Sequence, residues 1–264
     1  MSLRLSIIVP AYNEEHRLGP MLDAYLPFFD TALPDDYELI VSVNGSTDAT
    51  EALARSYLPA HPALRVTATP SPVGKGGAII RAGRLATGRH IGFTDADGST
   101  PPAAFLDLLL SAEADPAPGY LVIASRWLPD SCVSPRQPLK RRLASRIFNF
   151  LVRRLFSLHV TDTQCGAKVM PAAAWHAIVP SIGTTRWAFD VEMLFKARRA
   201  HIPIREIPTT WHDVDGSKIN VPRASCQMFL AIVRLRLLHS RLRFVVTLYD
   251  RLLGRLLPLP PYAP

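Results

Sequence analysis

The segment His90-Ile91-Gly92-Phe93-Thr94-Asp95-Ala96-Asp97 joins an apolar run, typical of a buried strand, to two carboxylates one residue apart. Outward from it, short β-rich runs alternate with helical patterns over the first half of the chain. This alternation is typical of βαβ units and a parallel sheet. Ligands of such sheets bind in the crevice beyond the carboxyl ends of the strands. We therefore expect Asp95 and Asp97 to lie at a binding site.

The pattern predicts an α/β fold: a Rossmann-like, mixed and mostly parallel sheet flanked by helices, with basic amphipathic helices towards the C-terminus. The predicted strands cover 5–10, 37–43, 65–69, 90–94 and 120–125. The predicted helices cover 17–29, 47–57, 76–85, 138–158 and 189–200, with a loop at 162–168. The residues that follow the strands are the first candidates for a site: Asn13, Asn44, Asp95, Asp97 and Arg126.

Composition argues against a disordered chain and indicates an anionic partner. Hydrophobic residues make up 48% of the 264 and charged residues 20%, whereas disordered chains combine low hydrophobicity with high net charge. The net charge of +8 fits nucleic acid, anionic lipid or a phosphorylated substrate. No nucleic-acid-binding motif accompanies it, so we expect no nucleic-acid partner. Three cysteines without metal-site or disulfide spacing predict a reducing compartment: Cys132, Cys165 and Cys226.

Two basic segments predict contact with an anionic membrane surface. In 138–158 apolar residues recur every four positions while arginines occupy other faces, and the tail 223–264 mixes arginines with leucines. Such helices lie in the plane of anionic membranes or pack on the core with a solvated basic face. The N-terminal apolar run is too short for a signal peptide, and no uncharged stretch reaches the roughly 18 residues of a spanning helix. We expect a peripheral protein at the cytoplasmic face.

The carboxylates of Asp95 and Asp97 predict a metal site. Two carboxylates one residue apart at a strand end can direct hard oxygen ligands towards one cation that bridges a diphosphate. Mg²⁺ or Mn²⁺ there would neutralise the charge that develops on a leaving nucleoside diphosphate. An aspartate pair beside Gly98 is also typical of a plain turn. The motif alone therefore leaves both interpretations open.

Further motifs stand in a fixed order around this pair. They are Ile7-Ile8-Val9-Pro10-Ala11-Tyr12-Asn13-Glu14-Glu15, Val43-Asn44-Gly45-Ser46-Thr47-Asp48, Asp162-Thr163-Gln164-Cys165-Gly166-Ala167-Lys168, Arg186-Trp187-Ala188-Phe189-Asp190-Val191-Glu192 and Gly216-Ser217-Lys218-Ile219. Together they resemble the inverting family 2 glycosyltransferases of GT-A fold, and most closely their dolichyl-phosphate β-glucosyltransferase branch. The resemblance covers roughly residues 4 to 220.

The resemblance implies transfer of a sugar from a nucleotide to a polyprenyl or dolichyl phosphate with inversion, and UDP-glucose is the expected donor. It implies a catalytic domain over 1–222, divided into a nucleotide-sugar half (1–128) and an acceptor half (129–222), before the membrane-surface tail 223–264. A GDP-mannose-dependent mannosyltransferase and a family 2 enzyme with another acceptor are the alternatives. An acceptor phosphate is already anionic, so its attack needs positioning and charge neutralisation more than a general base.

The resemblance also assigns residues by role. For the metal it implies Asp97 and Asp95, with Asp97 the stronger candidate. For the nucleotide sugar it implies Pro10, Tyr12, Glu14, Asn44, Lys75, Asp95, Gln164, Trp187, Asp190 and Lys218. The catalytic set is Asp95, Asp97, Arg126, Arg141, Ser145 and Asp162, in which Arg126, Arg141 and Ser145 are expected to hold the acceptor phosphate. Four residues either shape the sugar pocket or pair with nearby arginines: Asp162, Gln164, Asp190 and Glu192.

Two positions bear on the identity of the donor. Val43 and Asn44 stand where the family usually has two aspartates, so a carboxylate that would accept a hydrogen bond from the base is missing. The amide of Asn44 can still donate and accept. Ser99 stands where the mannose synthases have glutamine, as in the glucosyltransferase branch. This favours UDP-glucose over GDP-mannose.

Overall fold

A computed structural model describes residues 2–114, 119–135, 139–183, 188–212 and 221–252. Its strands are β1 (Leu5–Ala11), β2 (Tyr37–Asn44), β3 (Leu64–Thr69), β4 (His90–Phe93), β5 (Leu121–Ser125), β6 (Cys132–Ser134), β7 (Lys168–Pro171), β8 (Ile204–Pro208) and β9 (Thr210–His212). Its helices are α1 (Leu18–Ala32), α2 (Thr50–Ser56), α3 (Lys75–Gly83), α4 (Pro102–Glu113), α5 (Leu139–Phe156), α6 (Ala172–Ile178), α7 (Phe189–Arg199), α8 (Val221–Leu238) and α9 (Arg243–Leu252).

The main sheet confirms the predicted α/β class. Its strand order is β3-β2-β1-β4-β7-β5-β8, with seven strands. Neighbouring strands run parallel except β7, which is antiparallel to both β4 and β5. A separate two-stranded sheet pairs β6 with β9 in parallel. The sheet is therefore mixed and mostly parallel, and β7 joins the β1–β4 half to the β5–β8 half.

Every strand and helix predicted from the sequence is present, with ends shifted by a few residues;. The prediction of a loop as far as residue 168 is wrong at its end, because Lys168 begins β7. This strand is four residues long, starts with a buried charge and ends in proline, so it lacks the apolar alternation by which strands are recognised. Three other strands are likewise not predicted from the sequence: β6, β8 and β9.

Side chains from the two faces of the sheet build two apolar layers. Leu5, Ile7 and Val9 of β1 pack with α1 and α4 on one face. Ile8 points to the other face, where α3, α6 and α7 cover the sheet. Because both faces are buried, β1 reads as a continuous apolar run rather than an alternating one. The sheet is thus covered on both sides, and its polar residues collect at the strand ends.

The first helix of the basic tail packs on the core along one face. Ile232 and Leu235 of α8 are fully buried in the layer that contains α7, whereas Phe229 and Leu230 are exposed. The domain boundary predicted between 222 and 223 falls inside this helix. Of the two uses foreseen for a basic amphipathic helix, core packing therefore holds for one face of α8. Among the described helices, none is long and apolar enough to cross a membrane.

Candidate active site

The candidate site lies where the carboxyl ends of β1, β2 and β4 meet at one edge of the sheet. Parallel pairing of β1 with β2 and β4 places these ends side by side;. The Thr94 N–H donates to the carbonyl of Ile8, so the backbone stays paired up to the residue before Asp95. Pro10, Tyr12 and Asn44 reach the same edge from β1 and β2. Asn44 is the last residue of β2 and Asp95 follows β4, as the sequence predicts. The roles expected for Pro10 and Tyr12 stay predictions.

Asp97 is the less neutralised of the two aspartates. One carboxylate oxygen accepts the Ser99 N–H at 2.9 Å, and Gly98 turns the chain with a φ of 70° that favours glycine;. Burial raises the pKa of Asp97, and the neighbouring charge of Asp95 raises it further. No lysine or arginine lies within ion-pair distance of Asp97 among the described residues. Its other oxygen is available to a cation.

Asp95 belongs to a row of alternating charges that we call the charge chain: Lys168, Asp190, Lys75 and Asp95. Lys168 Nζ lies 2.6 Å from Asp190 Oδ1, and Lys75 Nζ lies 3.8 Å from Asp190 Oδ2. Lys75 Nζ also lies 2.7 Å from Asp95 Oδ1. The chain thus runs from the interior of the sheet to the edge where the two aspartates stand.

Burial and charge oppose each other in the charge chain. Burial alone would raise the pKa of Asp190, but the ammonium groups of Lys168 and Lys75 hold it below its ordinary value. Burial likewise lowers the pKa of Lys75, and the carboxylates of Asp95 and Asp190 more than offset this, so its pKa is raised. Asp190 and Lys75 are therefore ionised at neutral pH, and Asp190 is a poor proton acceptor.

A glycine lets the loop before β7 lie directly on Asp95. A Cβ added to Gly166 would come within 2.0 Å of Asp95 Oδ2, a distance that real contacts do not reach. The carbonyl oxygen of the preceding residue, Cys165, accepts a hydrogen bond of 2.6 Å from Lys168 Nζ of the charge chain. The motif that resembles the glycosyltransferase branch therefore positions the first aspartate of the site.

Arg126 and Asp162 form a second ion pair beside the charge chain. Two guanidinium nitrogens of Arg126 donate to the carboxylate at 2.7 and 3.0 Å, and the guanidinium lies 4.9 Å from the Trp211 ring centroid. Burial would raise the pKa of Asp162, but Arg126 holds it below its ordinary value. Of the two roles expected for Asp162, pairing with an arginine is the one observed.

Arg126 also borders a cavity of about 420 Å³, which we call the arginine pocket. Among the described residues that line it, three are arginines and none is acidic: Arg126, Trp127, Ser131, Cys132, Val133, Arg142 and Arg146. The guanidinium of Arg146 lies 5.1 Å from the Trp127 ring centroid. Arg142 and Arg146 have no acidic partner in the described part of the chain. The pocket is therefore suited to an anion.

The sequence did not single out Arg142 and Arg146 as site residues. Both lie on α5, whose helical pattern shows that arginines avoid the apolar face but not which of them line a cavity. Among the predicted phosphate contacts, Ser145 lies partly exposed on the same helix. The backbone of Arg141 is part of α5, and its side chain lies outside the described set.

The remaining predicted contacts stand at the β1 and β2 side of the edge. The two oxygens of Glu14 accept hydrogen bonds from Arg17 at 2.6 Å each, and burial, the largest influence, raises the pKa of Glu14. The side-chain oxygen of Asn44, Oδ1, accepts a hydrogen bond of 2.7 Å from the Val73 N–H. This oxygen is therefore engaged within the protein. The side chain of Tyr12 is half exposed.

Three further residues are predicted to contact the nucleotide sugar: Gln164, Trp187 and Lys218. Gln164 donates its backbone N–H to Asp162 Oδ1 at 3.2 Å, and its buried Nε2 has no hydrogen-bond partner. Within the described part of the chain this amide group is therefore a buried donor without an acceptor. Trp187 and Lys218 lie outside the described residues.

The donor set fits Mg²⁺ or Mn²⁺ held jointly with a substrate. In the described residues no group of three or more His, Cys, Asp and Glu side chains could hold a metal. Mg²⁺ keeps several waters and is commonly bound by one or two carboxylates together with substrate phosphates. The free oxygen of Asp97, beside Asp95, matches that mode. We expect a metal to bind with the nucleotide rather than in a complete protein cage.

Comparison with known proteins shows the class. The family described as Glycosyl transferase family 2 matches residues 6–176. This range includes Asp95, Asp97, the arginine pocket and two further members of the charge chain, Lys75 and Lys168. The chain belongs to glycosyl transferase family 2, and the fold and site agree with that assignment.

Similar curated proteins include dolichyl-phosphate β-glucosyltransferases from several organisms. The protein from Drosophila melanogaster is 38% identical over 228 residues, covering 83% of this chain and 70% of the relative. That from Dictyostelium discoideum is 34% identical over 244 residues, covering 89% and 74%. The human protein is 35% identical over 256 residues, covering 92% and 79%.

Solved structures of similar fold include glucosyl-3-phosphoglycerate synthase from Mycobacterium tuberculosis. Its complex with UDP has a TM-score of 0.65 at 20% identity, covering 88% of this chain and 79% of that one. Its complex with Mn²⁺ and UDP-glucose has a TM-score of 0.65 at 18% identity, covering 89% and 79%. At this identity the likeness shows the fold, and it confirms the predicted GT-A architecture.

The close approach at Gly166 generates a prediction. Gly166→Ala should displace Asp95 and lower sugar transfer at least about tenfold, because a shift near 1 Å at a reacting centre costs on that scale or more. Gly19→Ala in α1 is the control, since its added Cβ would meet only ordinary contacts of 3.7 Å and beyond. Initial rates of sugar transfer by both variants test this prediction. Equal rates in Gly166→Ala and Gly19→Ala would show that the position of Asp95 is unimportant.

Proposed function

We propose that the protein transfers glucose from UDP-glucose to a polyprenyl phosphate such as dolichyl phosphate, with inversion. One observation carries this proposal: the described carboxylates around Asp97 are already neutralised by cations. Asp162 is paired with Arg126, and Asp190 with Lys168. Asp95 is paired with Lys75.

This neutralisation bears on the chemical class of the acceptor. A hydroxyl acceptor must lose a proton as it attacks, and a side chain that takes the proton works best with a pKa near the working pH. The pKa values of Asp162 and Asp190 are instead held below their ordinary values by their cationic partners. A phosphate acceptor is ionised before it attacks and needs no such group. The geometry therefore supports an anionic acceptor.

The donor end of the proposed site is the edge with the two aspartates. Mg²⁺ or Mn²⁺ held by Asp97 and Asp95 would supply neutralisation of the leaving diphosphate. Lys75, at the N-terminus of α3, lies beside them and favours the same anion;. UDP-glucose is favoured over GDP-mannose by the names of the similar curated proteins and by Ser99. Asn44, Tyr12, Pro10 and Glu14 are the proposed surroundings of the nucleoside.

The acceptor end of the proposed site is the arginine pocket. Arg126 stands between the pocket and the charge chain, so a phosphate in the pocket would lie beside the sugar. Arg141 and Ser145, proposed from the resemblance, lie on α5 among the pocket arginines. Arg142 and Arg146 add charge that no acidic residue of the described chain balances.

The membrane end of the proposed site is the exposed apolar stripe of α5: Leu139, Leu143, Ile147 and Phe150. Their spacing of three or four positions puts them on one side of the helix. Arg142 and Arg146 occupy the strip between this stripe and the buried residues of the helix. An amphiphile could therefore place its phosphate in the pocket and its hydrocarbon along the stripe. We propose peripheral binding at the cytoplasmic face of a membrane through this side of α5.

The experiment for the proposed reaction offers labelled UDP-glucose and GDP-mannose in parallel to a polyprenyl phosphate in detergent with Mg²⁺ or Mn²⁺. Transfer from UDP-glucose alone, abolished in Asp97→Ala, is the expected result. Transfer from GDP-mannose alone would keep the reaction class and overturn the sugar. Binding of UDP without transfer from either donor would refute the proposed acceptor.

The arginine pocket generates a second expectation. Arg142→Gln and Arg146→Gln should each raise the KM for polyprenyl phosphate about tenfold, because a hydrogen bond between charged groups contributes about 1.5–3 kcal/mol. The KM for UDP-glucose should not change. Arg154→Gln removes an exposed arginine from the same helix and serves as the control. Equal KM values in all three variants would place the acceptor elsewhere.

A third prediction concerns the apolar stripe of α5. Ile147→Asp should weaken binding to vesicles that contain anionic phospholipid, since a charge would enter the interface in place of buried apolar area. Leu110→Asp changes a comparably exposed leucine of α4, which packs on the opposite face of the sheet. Vesicle flotation measures both. An equal loss of vesicle binding in both variants, or no loss in Ile147→Asp, would show that α5 does not contact the membrane.

A further inference from the structure

We infer that Lys75 is a mobile counter-ion of Asp95. Its ammonium neutralises Asp95 while the site is empty of donor and moves to the diphosphate when the donor enters with its cation. Lys75 would then compete with a divalent cation for Asp95 before the nucleotide binds. The inference rests on the proposed function, since it requires a diphosphate and a cation.

The geometry distinguishes the two lysines of the charge chain. Lys168 is fully buried and makes hydrogen bonds of 2.6 Å both to Cys165 O and to Asp190 Oδ1. The side chain of Lys75 is 26% exposed, and its Nζ lies between Asp95 Oδ1 at 2.7 Å and Asp190 Oδ2 at 3.8 Å. Lys168 is thus fixed, whereas Lys75 ends at the open edge of the site on a flexible stem.

Electrostatics supplies the reason for the movement. Lys75 is close enough to Asp97 for that carboxylate to influence it, so a divalent cation at Asp97 would repel the ammonium. Asp190 offers only a partial alternative, because one of its oxygens is already bonded to Lys168. The oxygens of an incoming diphosphate would then be the strongest unpaired acceptors within reach. Asp95, once released, would face the cation.

The test measures two affinities that should change in opposite directions. In Lys75→Met, Mn²⁺ should bind about three- to tenfold tighter without nucleotide, because its competitor at Asp95 is gone, while UDP in the presence of Mn²⁺ should bind about tenfold more weakly. Lys75→Arg keeps the charge and should leave Mn²⁺ affinity within about twofold of the wild type. Arg55→Met removes one charge from an exposed pair on α2 and should change neither affinity. Titration calorimetry with the full chain measures all four proteins.

The outcomes separate this inference from the proposed function. Local damage to the site would weaken both affinities, whereas loss of a counter-ion that moves from Asp95 to the diphosphate tightens Mn²⁺ binding and weakens UDP binding in the same variant. Unchanged or weaker Mn²⁺ binding in that variant, with normal Mn²⁺-dependent UDP binding by the wild type, would overturn the role of Lys75 alone. Failure of the wild type to bind UDP with Mn²⁺ or Mg²⁺ would overturn the proposed donor site and this inference together.

Discussion

The pairing of the buried Lys168 ammonium with Asp190 and Cys165 holds the centre of the sheet to α7. A charge that is removed from water destabilises the fold by several kcal/mol unless it is paired and hydrogen-bonded. Lys168 meets this requirement with Cys165 O and Asp190 Oδ1. The first turn of α7 is therefore bound to the start of β7, the strand that joins the two halves of the sheet. Asp190 in turn faces Lys75, which faces Asp95.

The ion pair of Arg126 with Asp162 has a corresponding role in the acceptor half. Asp162 is fully buried, and both of its carboxylate oxygens accept hydrogen bonds from the guanidinium of Arg126. This pairing keeps Arg126 at the border of the arginine pocket. Two groups of charges thus flank the position proposed for the sugar. One lies beside the leaving diphosphate and the other beside the attacking phosphate. A site arranged in this way neutralises charge on both sides of the reacting carbon and moves no proton.

Sequence analysis anticipated the donor side better than the acceptor side. Asp95 and Asp97 follow a recognisable strand, and strand ends in a parallel sheet converge by rule. The position of Lys168 was not foreseen as structural, because nothing in a short polar strand announces that its first residue is buried. Arg142 and Arg146 were not foreseen as lining a pocket, because helical periodicity separates apolar from polar faces without showing which polar face borders a cavity. Contacts between distant segments decide both cases.

In the proposed reaction the acceptor attacks as an anion, beside carboxylates that are paired with cations in the described part of the chain. This mode of attack is tested most directly by offering labelled UDP-glucose together with either a polyprenyl phosphate or the polyprenol of the same chain length. We expect glucose transfer to the phosphate and none to the alcohol. Comparable transfer to the alcohol would contradict it, because a hydroxyl could be used only if one of the neutralised carboxylates, or another group, removed its proton.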